Sequence, residues 1–351
     1  MLLNNEAVLN ALSHVMDPEL HQDLVSLGMI KDLKIDGDQV SFTIELTTPS
    51  CPLKSRIEND ARQAVLTMTE AKEVQINMSA RVRAQKPVAV GENHFKHVIA
   101  VGSGKGGVGK STVSVNLALA LAQDGARVGL LDADIYGPNI PRMLGIDRLP
   151  DNETGGKLPL AEIYGMKVMS IGFLVQNGQP LIWRGPMLHS AIQQFITDFD
   201  WGDLDYFVVD LPPGTGDVQL SLSQTLPLTG AVIVSTPQQV AIDDAARALA
   251  MFEKLEIPVL GIVENMSYLN MPDGSKLSVF GTGGGERLAF RTGTPFLGSI
   301  PLDPEIGQGG DTGSPVVIAA QGRPSAEALL AIARKVAAEA SIRTHQHQSQ
   351  G

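Results

Sequence analysis

The sequence predicts an α/β protein: a mostly parallel sheet with helices on both faces, preceded by a small α+β domain. Three observations carry this expectation. From Val98 onward, short apolar strands alternate with amphipathic helices, the pattern of strands buried on both faces and joined by helical crossovers. Glycine is frequent, at 36 residues, and aromatics make up only 5%, which suits many tight strand-to-helix turns better than a sugar- or base-stacking surface. A chain of 351 residues corresponds to about two domains at roughly 150 residues each, and its 43% hydrophobic content is ample for real cores.

Charge and cysteine count narrow the function classes. With 27 Lys and Arg against 38 Asp and Glu, the net charge is −11; this argues against a nucleic-acid binder, whose affinity comes from clustered basic residues. The single cysteine, Cys51, excludes an intramolecular disulfide and any four-cysteine zinc or iron–sulfur site within one chain. No apolar run approaches the ~18 residues that span a bilayer, and residues 1–15 carry Asn4, Asn5, Glu6 and His14 where a signal peptide has an apolar core. A cytoplasmic protein is expected.

Taken in order, residues 1–85 read as the small α+β domain. Val8, Leu9, Leu12, Val15 and Met16 fall at helical spacing, and Gly37-Asp38 turns between alternating segments at 30–35 and 40–46, a hairpin. A second helix fits 52–69 and a closing strand 74–78. Residues 86–97, with Pro87, Gly91 and little apolar periodicity, read as a linker. The main domain then covers 98–340, with strands expected at 97–101, 128–132, 207–210, 231–235, 259–264 and 295–299. Its last helix, 325 to about 340, carries Leu329, Ile332, Ala333, Val336 and Ala340 on one stripe; few basic residues and small alanines make it a packed helix rather than a membrane-surface one. The polar residues 341–351, with His345 and His347, are expected to be a disordered tail. No internal repeat is present.

The strongest chemical signal runs from Gly102 to Thr112, between a strand and a helix starting near Lys110. It satisfies Gly104-x4-Gly109-Lys110-Ser111. In such a loop Gly104, Lys105, Gly106, Gly107, Val108 and Gly109 turn successive backbone N–H groups onto phosphate oxygens; Lys110 reaches the terminal phosphates, Ser111 ligates Mg²⁺, and Thr112 completes the helix N-terminus. The same residues satisfy the dinucleotide pattern Gly104-x-Gly106-x-x-Gly109, with Asp132 at the end of the next strand. Two features favour ATP with Mg²⁺ over a dinucleotide. A lysine directly after the third glycine puts charge where helix and strand should pack, and the strand ending at Asp210 supplies the acid that a phosphate loop needs. The sheet is therefore expected to be that of a P-loop NTPase.

Lys105, a second lysine inside the loop, makes the motif resemble the deviant Walker-A ATPases, the group that includes MinD, ParA and the nitrogenase iron protein. That resemblance implies an ATP-sandwich homodimer in which Lys105 reaches the partner's nucleotide, as an arginine finger does elsewhere; the alternative is a solvent-facing lysine. It also implies that Asp134 orients the attacking water and that Asp132 supports Mg²⁺ or its waters, against a plain turn-capping role before Gly137-Pro138. Asp210 leads into Leu-Pro-Pro-Gly214-Thr-Gly216-Asp217, a glycine-rich switch able to sense a γ-phosphate. Asn265 is the base-reading candidate by the same resemblance and a turn-starting Asn without it.

Longer phrases narrow the family. Asp132-Ala-Asp-Ile-Tyr-Gly-Pro-Asn139, Trp183-Arg-Gly-Pro186, Asp210-Leu-Pro-Pro-Gly-Thr-Gly-Asp217, Thr236-Pro-Gln238, Glu264-Asn-Met-Ser267 and Phe280-Gly-Thr-Gly-Gly-Gly285 are similar to the Mrp/ApbC family of iron–sulfur cluster carrier ATPases. Asp17-Pro-Glu19, Leu27-Gly28 and Thr47-Thr-Pro-Ser-Cys-Pro52 resemble the small domain of iron–sulfur assembly factors. The resemblance implies a homodimeric, Mg²⁺-dependent ATPase that serves apoprotein clients and iron–sulfur assembly proteins, with no nucleic-acid or membrane partner; it assigns Trp183 and Arg184 no chemistry. One departure stands out. Family members that bridge a cluster carry Cys-x-x-Cys between the Glu-Asn-Met-Ser and Phe-Gly phrases, so that two subunits present four thiolates. Here Met271-Pro-Asp-Gly274 occupies that place, and neither thioether nor glycine replaces a thiolate. Cys51 is left as the one candidate iron–sulfur ligand, against a reactive or simply buried thiol. An ATP-switched adaptor that binds protein partners without metal is the alternative function.

Overall fold

A computed structural model describes residues 3–83, 87–152, 156–174, 185–216, 219, 220, 222 and 225–349. The chain divides into two compact units, residues 1–85 with 337–351, and residues 86–336.

In the small unit, α1 (Asn5–Leu12) is capped by Asn4, whose side chain accepts from the Ala7 N–H at 2.8 Å, satisfying one of the free donors of the first turn. The helix ends before Val15 and Met16; Val15 still enters the core, while Met16 is 51% exposed. β1 (Ile30–Asp36) and β2 (Gln39–Leu46) form the expected hairpin, its turn using Gly37 at φ +62°. β2 alternates buried and half-buried residues, so Phe42, Ile44 and Leu46 face α1 and α2 (Lys54–Met68) in one core. β3 (Glu73–Ala80) lies parallel to β2, the crossover being α2.

The large unit is built on a nine-stranded sheet. The expected linker at 86–97 is corrected: β4 (Val88–Val90) and β5 (Asn93–Ser103) are antiparallel strands of that sheet, turning at Gly91 with φ +62°. The polar residues that suggested a linker are used inside. Asn93 is fully buried and donates to the carbonyls of Ile196 and Phe199, and Phe95 stacks on Phe207 at 4.5 Å. From β5 the chain runs through α3 (Lys110–Gln123), β6 (Val128–Asp132), α4 (Ile140–Leu144), β7 (Ala161–Ile163) and β8 (Met166–Ser170) to α5 (Gly185–Thr197). It continues through β9 (Asp203–Asp210), β10 (Gly230–Ser235), α6 (Gln239–Lys254), β11 (Val259–Glu264), α7 (Gly284–Thr292), β12 (Phe296–Ser299), α8 (Pro304–Thr312), α9 (Val316–Ala319) and α10 (Pro324–Ser349). The strand order is β12-β11-β10-β5-β9-β6-β8-β7, all parallel except β7, with β4 on the side of β5.

β7 and β8 have no counterpart in the sequence pattern, because Met166-Lys-Val-Met-Ser170 lacks the unbroken apolar run of the central strands. The expected disordered tail is likewise corrected over 341–349, where α10 continues to Ser349; residues 350 and 351 lie outside the described residues. The hydroxyls of Ser341 and Thr344 bond back to the carbonyls four residues earlier, so these polar residues fit a helix interior, and from Ala337 the helix groups with the small unit. The carboxyl ends of β5, β6 and β9 meet in register, Asp210 beside both Val101 and Asp132. Open parallel sheets place their ligands at this edge.

Candidate functional site

The loop between β5 and α3 is shaped by its glycines and by what packs behind it. Gly107 and Gly109 take left-handed backbone, φ +79° and +83°. Gly104 is glycine for another reason: a Cβ there would lie 2.1 Å from the backbone of Asp244, so α6 presses directly on the loop. A Cβ on Gly109 would lie 2.1 Å from Asn265 Nδ2, which donates to the Val108 carbonyl at 2.9 Å. Asn265 is 4% exposed and braces the loop from behind, outside the lining of the cavity in front of it. The structure therefore places this residue in contact with the phosphate loop.

In front of the loop lies a cavity of about 590 Å³. Lys105, Gly106, Gly107, Gly109, Lys110, Ser111, Thr112 and Asp134 line it, together with Met143 of α4 and Ile306 of α8. Lys110 Nζ is 2.9 Å from Asp210 Oδ1 and 3.2 Å from Asp134 Oδ2. Burial alone would push this ammonium down, but the charges of Asp210 and Asp134 and their hydrogen bonds hold it above its ordinary range. Asp210 is fully buried and accepts from three donors: Lys110, the Ser111 hydroxyl at 2.6 Å and the Ser114 hydroxyl at 2.6 Å. Burial raises the Asp134 carboxyl, opposed by Lys110 and reinforced by Asp210.

Asp132 is not brought to the cavity. Fully buried, it accepts from the N–H groups of Asp134 (3.1 Å) and Ile140 (3.3 Å) and from the Ser170 hydroxyl (2.8 Å). Burial and the neighbouring Asp210 charge push its carboxyl well above the ordinary range. In this arrangement it folds the turn that presents Asp134. Ser170 and Ser114 escaped the sequence reading, although each had a signal: Ser170 ends β8 in register with Asp132, and Ser114 stands one helical turn beyond Lys110 on the same face.

Beyond Asp210 the chain turns back onto the loop. The Gly214 N–H donates to the Ser103 carbonyl at 2.8 Å, Pro213 enters the cavity wall, and Gly214 takes φ +92°. Asp217, Trp183 and Arg184 lie outside the described residues.

The candidate iron–sulfur positions look different. Met271-Pro-Asp-Gly274 forms a closed hairpin turn. Met271 N–H bonds the Ser275 carbonyl, Gly274 takes φ +82°, and Asp273 accepts from both the N–H and the hydroxyl of Ser275. Cys51 is a free, half-buried thiol packed on the small unit's core. Burial, with the charges of Glu19 and Asp17, pushes it from 9.0 up to about 11. Glu19 itself is raised from 4.5 to about 7 by burial and by Asp17 and Glu339. Among the described residues no group of three or more His, Cys, Asp or Glu is disposed to hold a metal ion, and no helix is long and apolar enough to cross a membrane.

Comparison with known proteins agrees with this geometry. A family model described as NUBPL iron-transfer P-loop NTPase matches residues 94–337, and one described as iron-sulfur cluster assembly protein matches residues 5–78. A protein of Deinococcus radiodurans named iron-sulfur cluster carrier protein is 55% identical over 344 residues, covering 97% of each chain. Among solved structures, a nucleotide-binding protein of Archaeoglobus fulgidus in complex with ADP is 40% identical with a TM-score of 0.55, covering 62% of this chain and 87% of its own. The septum site-determining protein MinD of Pyrococcus horikoshii, complexed with Mg-ADP, shares the fold at 21% identity with a TM-score of 0.50, covering 68% of this chain and 94% of its own.

Proposed function

Since the chain belongs to the NUBPL iron-transfer family of P-loop NTPases, we propose that it is a cytoplasmic, Mg²⁺-dependent ATPase working as a homodimer to carry iron–sulfur clusters to apoproteins. The observation that carries the ATPase reading is Lys110, buried at the mouth of the phosphate loop and held by Asp210 and Asp134. The N–H groups of residues 104–111 and the start of α3 receive the phosphates. Lys110 exchanges its carboxylate partners for phosphate oxygens. Asp134 lines the cavity and, freed of Lys110, accepts a proton-side hydrogen bond from the water that attacks the γ-phosphorus as the bond to ADP breaks.

The donor set suits Mg²⁺. The Ser111 hydroxyl and the Asp210 carboxylate, 2.6 Å apart, are hard oxygen ligands of the kind this ion takes and that soft metals do not favour. When bound, Mg²⁺ supplies positive charge to the β- and γ-phosphate oxygens. Lys105, half-buried in the cavity lining, with no carboxylate paired to it among the described residues, is available to a second subunit's nucleotide. We assign it that role in trans.

The cluster is cargo. One chain cannot enclose it, having a single thiol, so a dimer offers two Cys51 thiols and needs further ligands from the client or a small thiol. The closed turn at Met271–Gly274 favours a second reading, an ATP-switched adaptor for protein partners that holds no metal. Iron and acid-labile sulfide per chain after anaerobic reconstitution, measured beside Cys51→Ser, separates the two. Stoichiometric loading lost in the variant supports the carrier; wild type without cluster supports the adaptor.

A further inference from the structure

Gln219 lies on the polypeptide just beyond the glycine-rich turn, is 2% exposed, and spends every hydrogen-bonding group of its side chain on that turn. Its Nε2 donates to the Pro212 carbonyl and to the Gly214 carbonyl, each at 3.0 Å, and its Oε1 accepts from the Gly216 N–H at 3.0 Å. The assignment of the two amide ends follows from these partners, since only the NH₂ end can face two carbonyls. The turn it closes is the one whose Gly214 N–H bonds the end of β5 at Ser103 and whose Pro213 stands against the phosphate loop, 3.9 Å from where a Cβ on Gly106 would sit. The Ser103 hydroxyl in turn donates to the Lys105 carbonyl at 3.0 Å.

A segment with glycines at 214 and 216 has little intrinsic preference for one conformation. An amide that is itself buried and satisfies two carbonyls and one N–H selects one, because its own polar atoms and the buried Pro212 carbonyl would be costly to leave unsatisfied. We propose that Gln219 is a positioning residue for ATP hydrolysis: it latches residues 212–216 against the phosphate loop and so keeps Pro213 in the cavity wall. Hydrolysis then depends on Gln219, whereas ADP, which lacks the γ-phosphate, binds without consulting it. The proposal rests on the ATPase reading above.

The test uses the full chain. Gln219→Met keeps the side-chain length and removes all three bonds; Gln219→Glu keeps the acceptor alone. Steady-state ATP hydrolysis, ADP affinity by calorimetry, and hydrogen–deuterium exchange at Gly216 are measured for both beside wild type. In Gln219→Met, kcat is expected to fall about tenfold or more, the scale of a misplaced catalytic segment, while the ADP Kd stays within about twofold and the Gly216 amide exchanges faster. Gln219→Glu is expected to keep Gly216 protected and still lose rate. Wild-type turnover in both variants overturns the proposal, and so does a loss of ADP affinity that matches the loss of kcat. If wild type turns over no ATP, the ATPase reading fails; unchanged Gly216 exchange in Gln219→Met, which needs no turnover, overturns the latch by itself.

Discussion

Lys110 shows how much one residue can organise. It is 6% exposed, and two carboxylates hold it charged against burial; those carboxylates in turn depend on it. Lys110→Ala therefore removes the phosphate ligand and leaves the Asp134 and Asp210 charges without a cation, so ADP affinity should fall about a hundredfold, the loss of one charged hydrogen bond of about 2–3 kcal/mol, as calorimetry would read it. Cys51 and Glu19 make pH-dependent predictions of the same sign. Both are acids whose folded values, about 11 and about 7, stand above their ordinary values of 9.0 and 4.5. The folded state holds each proton longer than the unfolded state does, so stability is full below the lower value and declines as pH rises through the window. Melting temperature should thus drop between pH 4.5 and about 7 less steeply in Glu19→Gln than in wild type, and between pH 9.0 and about 11 less steeply in Cys51→Ser. Because a ligating thiol must first lose its proton, iron loading at Cys51 should also strengthen as pH rises from neutrality; loading that is flat with pH would remove Cys51 from the ligand set.

At the scale of elements, the phosphate loop is a strand–turn–helix whose sequence is nearly sufficient to place it, and a helix distant in sequence decides how tightly it is held. Gly104 is occupied by contact: α6 leaves no room for a Cβ 2.1 Å from the Asp244 backbone. Gly104→Ala should force α6 and the loop apart, costing about 1–3 kcal/mol or more as overpacking does. Gly107 has open space around it and needs only its left-handed backbone, φ +79°, so Gly107→Ala should cost about 1 kcal/mol in strain. Thermal melting of the two variants side by side checks the order, and equal losses would mean that α6 yields. The phosphate-binding glycine pattern was legible as a motif, but it could not tell these two glycines apart. Nor could local composition see that residues 88–90 and 93–96 are strand, because Asn93 is satisfied by carbonyls more than 100 positions away.

For the whole molecule the decisive question is whether two copies share the chemistry. Lys105 lines the cavity with no carboxylate paired to it among the described residues, and the proposed role in trans makes activity depend on the second copy. Turnover per chain should rise with protein concentration, and Lys105→Ala should lower kcat by about a thousandfold, the scale of a finger supplied in trans, with ADP binding to the single chain intact. Mixing Lys105→Ala with Lys110→Ala chains should restore part of the rate, since one mixed site then has a bound nucleotide and a lysine from the other subunit. A rate per chain independent of concentration, with no recovery on mixing, would confine Lys105 to its own subunit.

Some features of this protein follow from the amino-acid order alone because they are local or arithmetic. Strand, glycine loop, Lys110 and Ser111 are contiguous, apolar strands end in Asp132 and Asp210, and one cysteine cannot become four. Tertiary structure decided the rest, because the deciding partners are far apart in the chain. Asp132 faces Ser170, 38 residues on, and so shapes the turn that carries Asp134 in place of meeting the cavity. Asn265 reaches back 157 residues to the Val108 carbonyl and braces the loop from behind. Burial among Glu19 and Asp17 sets the protonation of Cys51. A residue's type names the bonds it can make; only packing brings to it the group that accepts one, and with it the dielectric that decides its charge.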